Sequence, residues 1–101
     1  MILSFADETT AKIFRGDPLT RKEERALGNL RIKKAYERLL LLNAATEKDL
    51  LLYPALHYHS LKGTTFHCVD ADARNSKWRI TFAWADQALT DVSLVTIEDT
   101  H

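Results

Sequence analysis

Trp78-Arg79-Ile80-Thr81-Phe82-Ala83-Trp84 is the stretch that decides the fold. Large apolar side chains stand at every second position, with Arg79, Thr81 and Ala83 between them. Successive side chains of an extended chain point to opposite faces, so the pattern predicts a β-strand with one apolar and one wet face. A sheet that buries one face and wets the other is characteristically antiparallel, and on such a sheet Arg79 is expected in the open. Working outward, strand-like segments are expected at about 57–62, 66–72, 78–85 and 91–98, with a short edge strand at 2–5.

Before residue 54 the period is helical. Asp7 is suited to cap a short helix through Phe14, and Gly16-Asp17-Pro18 stops it. Thr20-Arg21-Lys22-Glu23 is a capping box that opens a helix running to about Leu42. In its second half Ile32, Ala35, Tyr36, Leu39 and Leu42 share one face, and Arg31, Lys33, Lys34, Glu37 and Arg38 the other. Ala26, Leu27 and Leu30 sit roughly opposite that stripe. Either Gly28-Asn29 breaks or bends the helix there, or the three form an outer apolar patch suited to a protein partner. Thr46-Glu47-Lys48-Asp49 starts a further helical turn to about Tyr53, which Pro54 ends. Helices first and strands later predict an α+β domain, with N-terminal helices packed on a small, mostly antiparallel sheet.

A chain of 101 residues is expected to be a single domain spanning 1–101. Hydrophobic residues at 46% and charged residues at 28% exclude disorder. The absence of an apolar run of about 18 residues excludes a membrane helix, and Met1–Phe5 lacks the charged and apolar regions of a signal peptide. One cysteine, Cys68, excludes an internal disulfide and fits a reducing compartment, so the protein is expected in the cytoplasm. The formal net charge is zero, yet nine of the 14 basic residues lie between Lys12 and Arg38 and none follows Arg79. Any cationic surface is therefore local, and a larger partner would supply much of the positioning on a nucleic acid.

Four histidines invite a metal reading: His57-Tyr58-His59 puts two imidazoles on one face of a strand, and His67-Cys68 follows nearby. Neither a C-x₂₋₄-C nor an H-x₃₋₅-H pair occurs, so no metal and no cofactor are expected. Cys68 has no helix N-terminus or basic cluster beside it in the sequence and is not expected to act as a thiolate. The cations are more informative. Lys62 sits before Gly63 at a strand end, Arg74 lies in the loop Asp72–Lys77, and Arg79 lies on the wet face of the next strand. Singly each reads as a solvated charge; together on adjacent antiparallel strands they would form one anion pocket.

Three segments in order carry a resemblance: His59-Ser60-Leu61-Lys62-Gly63, Lys77-Trp78-Arg79-Ile80-Thr81-Phe82 and Glu98-Asp99-Thr100-His101. With Met1–Phe5 and Asn43-Ala44-Ala45-Thr46-Glu47, the chain resembles the HigB branch of the RelE superfamily of toxins over nearly its whole length. The resemblance implies a RelE-like fold and the toxin half of a type II toxin–antitoxin system. Such a toxin is a ribosome-dependent mRNA endonuclease, or mRNA interferase, that cuts messenger RNA in the 30S A site and arrests translation. It implies a HigA-like helix-turn-helix antitoxin as partner, with operator DNA met only through that antitoxin. Family positions carry over to His59, Lys62, Arg74, Arg79 and His101 as catalytic residues. Asp99, Thr100 and Lys77 take supporting, RNA-binding places. Thr100 departs from the family's tyrosine, and the loop between Arg74 and Arg79 is one residue longer.

The implied chemistry follows from the side chains. RNA brings its own nucleophile, the 2′-hydroxyl, so no metal is required. Arg79 and Arg74 suit the charge that develops on phosphorus, because guanidinium groups bind phosphate oxygens bidentately. Lys62 adds a point charge. His101 is the natural proton carrier; Asp99 and its own α-carboxylate favour the imidazolium, which suits a general acid. His59 would orient the nucleophile or act as base. Two other readings remain: a ParE-like toxin that inhibits DNA gyrase by binding, and an inactive toxin kept as an antitoxin-binding partner.

Overall fold

The computed structural model describes residues 1–99. Its centre is the strand the alternation predicts, Trp78–Trp84, with Ile80 and Phe82 fully buried on its inner face. It is the third strand, β3, of a four-stranded antiparallel sheet with β1 (His59–Ser60), β2 (His67–Asp70) and β4 (Val92–Asp99) in the order β1-β2-β3-β4. Short connections allow this meander. Among the described residues no helix is long and apolar enough to cross a membrane.

Strict alternation fails in β4. The register passes from Thr81↔Thr96 to Ala83↔Ser93, so two residues of β4, Leu94 and Val95, oppose Phe82 alone. Leu94 takes the left-handed conformation, φ 55°, and stands exposed while its amide donates to Ser4 Oγ at 2.9 Å. One extra residue flips the phase of a strand. Val92 therefore faces the core together with Val95 and Ile97, which a two-residue period would place on opposite sides. The segment 2–5 lies parallel along β4 through two isolated bridges, Ile2↔Val92 and Phe5↔Val95, rather than as a regular strand.

Four helices cover the inner face: α1 (Glu8–Arg15), α2 (Arg21–Leu27), α3 (Ile32–Ala44) and α4 (Glu47–Leu51). Asp7 caps α1 by accepting from the Thr10 amide at 3.2 Å, and Gly16 ends it at φ 77°. Of the two alternatives at Gly28-Asn29 the break is what occurs, so the span from Thr20 to Leu42 holds two helices. Gly28, at φ 54° and ψ −120°, reverses the chain in a conformation that only glycine adopts readily. The reversal turns Leu27 and Leu30 into the core, so of the supposed outer patch only Ala26 is exposed. Along α3 the apolar stripe buries Ala35, Leu39 and Leu42 completely, while Tyr36 remains at the surface. Pro54–Leu56 forms a 3₁₀ turn that closes on His57 at φ 53°, which is why β1 begins at His59 and not at 57.

The capping box at Thr20 also joins two helices. Glu23 accepts from the Thr20 amide, from Lys12 Nζ and from Thr9 Oγ1, each at 2.9 Å. The backbone hydrogen bond first, then those from Lys12 and Thr9, hold its carboxyl down to about 2. A depressed folded value contributes stability that is present above the unfolded value and lost as pH falls towards 2. Glu23→Gln is expected to flatten the fall in stability between about pH 4.5 and 2, read from urea unfolding at a series of pH values. An unchanged acid limb would contradict the geometry.

Candidate functional site

The register builds the outer face of the sheet row by row. His59, Cys68, Thr81 and Thr96 stand side by side across the four strands, and Asp70, Arg79 and Glu98 form the next row. The strand alternation that sends Ile80 and Phe82 inward sends all of these outward.

Arg79 is not in the open. Its side chain is only 14% exposed and lies against Asp70, which is fully buried, with Nε 3.2 Å from Oδ1. Nη1 donates to the carbonyls of Ser76 and Trp78 at 2.5 and 2.8 Å, and Nη2 to that of Arg74 at 3.4 Å. The expectation of a free guanidinium is thereby corrected. A buried carboxylate needs a counter-charge, and the Asp72–Lys77 loop folds its carbonyls over the guanidinium that supplies one. The Asp70 carboxylate accepts no aligned hydrogen bond among the described residues, so the ion pair with Arg79 is what neutralises it, while the Asp70 carbonyl accepts from Arg38 Nη1 at 3.0 Å. The loop is pinned at its start by Asp72, which accepts from the amides of Arg31 and Ala73 at 3.0 and 2.7 Å.

Arg74 and Lys62 are exposed, and neither side chain makes a hydrogen bond or ion pair among the described residues. Arg74 meets Arg79 through its carbonyl, at the lip of the loop. Lys62 sits in the turn after β1, where Gly63 takes φ 79° and the Thr64 amide returns to the Leu61 carbonyl at 3.1 Å. Lys77 lies 5.1 Å above the Trp78 ring and 3.8 Å from Asp99 at the end of β4. Thr100 and His101 lie outside the described residues.

His59 is exposed at the sheet edge. Its Nδ1 is 2.8 Å from the His57 carbonyl, which can only accept, so Nδ1 carries the proton and in the neutral ring Nε2 carries the lone pair. Nε2 lies 3.3 Å from the Cys68 sulfur. Burial pushes the Cys68 thiol up, and the nearby Arg79 and Arg74 offset this only in part. Cys68 is thus held as the thiol, which can donate to the Nε2 lone pair. Two expectations change here. Cationic groups do lie near Cys68, which the sequence does not reveal, and His57 and His59 do not share a strand face. The signal for the His59–Cys68 contact was available only as a hairpin register, since nothing in either residue's neighbourhood demands it.

Across the sheet, on the inner face, Tyr58 donates to Glu47 at 2.7 Å and accepts from Trp84 Nε1 at 3.0 Å, with His67 Nδ1 at 3.2 Å. Desolvation and the Glu47 bond raise its hydroxyl to about 12. This cluster anchors the start of β1. Among the described residues no three of His, Cys, Asp or Glu are grouped to hold a metal ion. Comparison with family models, with curated proteins and with solved structures finds no match.

Proposed function

We propose that this chain is an endoribonuclease toxin of the RelE-like, HigB type, which cuts messenger RNA on the ribosome and is silenced by a helix-turn-helix antitoxin in the cytoplasm. The observation that carries the reading is one face of one sheet: His59 and Arg79 in adjacent rows, flanked by the exposed cations Lys62 and Arg74. The RNA 2′-hydroxyl is the nucleophile. Arg74, at the lip of the loop, meets the phosphate first, while Lys62, beyond the other end of β2, meets the RNA strand further along. Arg79 joins Arg74 by releasing its longest bond, to the Arg74 carbonyl, and then faces the charge on phosphorus. His59 Nε2 is an acceptor suited to take the 2′-hydroxyl proton once it turns from Cys68. His101 supplies the proton to the departing 5′-oxygen.

The commitment of Arg79 to Asp70 and three carbonyls favours a second reading, a ParE-like toxin that inhibits DNA gyrase by binding alone. Expression in a bacterial host separates the two. The nuclease reading expects growth arrest with transcript ends inside translated frames. Lys62→Ala and His101→Ala should each slow cleavage roughly 10²-fold or more, the usual weight of a positioned charge or proton carrier. A DNA-damage response without RNA cuts would establish the binding reading instead. Cleavage undiminished in both variants would remove this site from the mechanism.

A further inference from the structure

Next to the Arg79–Glu98 row the outer face holds a cleft of about 370 Å³ that the cleavage chemistry does not use. Leu61, the half-buried Phe66 and Leu94 supply its apolar walls; Thr64, Thr81, Thr96 and Glu98 supply its polar atoms. Leu94 reaches this face because of the bulge, which turns it away from the core while Val95 goes in.

The polar atoms share one property. The Thr64 hydroxyl donates to the Leu61 carbonyl at 2.8 Å, that of Thr81 to Glu98 Oε1 at 3.0 Å, and that of Thr96 to Asp7 Oδ1 at 2.6 Å. Every threonine proton is therefore spent. What the cleft offers a ligand is oxygen lone pairs and a carboxylate, which is acceptor-only when ionised. No lysine or arginine lines it, so a phosphate group is not its ligand. The complement is a flat body that stacks on a ring and presents adjacent N–H donors. Among nucleobases guanine alone presents a ring N–H beside an exocyclic amine, a pair that spans two carboxylate oxygens. Adenine would set its N1 lone pair against Glu98, and uracil flanks its one N–H with carbonyls. Lys62 follows Leu61 directly and would sit towards the sugar–phosphate side.

We propose that this cleft is a guanine subsite, with Phe66, Leu61 and Leu94 holding the base and Glu98 reading its N1–H and N2–H₂ edge. The inference rests on the RNA reading for its biological use, but its test needs no cleavage. The full chain, labelled with ¹⁵N, is titrated separately with the 5′-monophosphates of guanosine, adenosine, cytidine and uridine. Guanosine monophosphate is expected to move the amides of Thr81, Leu94 and Thr96 and to bind at least tenfold more tightly than the other three. Glu98→Gln, an exposed change, should erase that preference. Equal binding of all four, shifts on another face, no shifts, or a preference that survives Glu98→Gln would each overturn the subsite. Guanine-selective binding in a chain that cuts no RNA would leave the subsite standing and remove only the nuclease reading.

Discussion

Arg79→Ala is expected to cost about 3–5 kcal/mol of folding stability, because it leaves a fully buried carboxylate without its counter-charge. The Asp70 carboxylate accepts no aligned hydrogen bond among the described residues, and the other guanidinium beside this residue, that of Arg38, donates to its backbone carbonyl at 3.0 Å and not to the carboxylate. The carbonyls of Ser76 and Arg74 lose the guanidinium as donor in the same step, while that of Trp78 keeps the Ala71 amide, and the Asp72–Lys77 loop is left with its anchor at Asp72. Urea unfolding at neutral pH reads the deficit. Replacing both partners by apolar residues, Asp70→Leu with Arg79→Met, should recover much of the loss, since no charge is then stranded. A deficit under about 1 kcal/mol in the single variant would mean that solvent meets Asp70, contrary to its burial. The same numbers warn that lost RNA cleavage in Arg79→Ala alone would say little about catalysis, so the Lys62 and His101 variants carry that test.

What was legible in the sequence, and what was not, divides along the range of the physics. β3 was legible because Trp78, Ile80 and Phe82 state their own period, and the caps at Asp7, Thr20 and Thr46 because capping is settled within a few residues. The two features that stayed open or unseen depend on backbone sign and on distant partners. Gly28 was visible as a glycine, but whether it bends a helix or ends one depends on whether Leu27 and Leu30 find a core to enter. The bulge at Leu94 puts a leucine in a left-handed conformation, at a cost of roughly 1–2 kcal/mol that no local pattern suggests. The sheet recovers that cost by seating Val92, Val95 and Ile97 together. For the candidate site, the residue types on the outer face were readable, but their state was not. Arg79 looks solvent-facing from alternation alone; it takes Asp70, nine residues earlier and directly opposite in register, to draw it in.

Phe82→Ala is expected to cost about 3–5 kcal/mol, the range for truncating a fully buried phenylalanine. A domain of this size commonly has about 5–15 kcal/mol in total, so the variant would stand near its unfolding midpoint in mild denaturant. The site gives reason to expect the upper half of the range. The Phe82 ring lies 5.4 Å from Trp84 edge-on, and 6.3 and 6.2 Å from Tyr58 and His67 in stacked fashion. Such ring pairs add to the transfer term, and all three partners are held by the Tyr58 hydrogen-bond cluster, which restricts their collapse into the space left behind. Phe82 is also the one β3 residue faced by two residues of the β4 bulge, so its ring holds Val95 inward and Leu94 outward. Loss of the ring should therefore loosen β4 as well as the core, exposing the amides of Leu94 and Thr96 to faster hydrogen exchange than in Ile80→Ala. Phe82→Leu, which refills most of the space, should cost markedly less. If Phe82→Ala costs under about 2 kcal/mol, the cluster relaxes freely, and the bulge is held by the hydrogen bonds that Leu94 and Val95 make with Ser4 and Ala6. In that case the backbone bonds of Ser4 and Ala6 to Val95 would keep the shape of the cleft beside Arg79 without the core beneath it, and the two faces of β3 would be energetically separate.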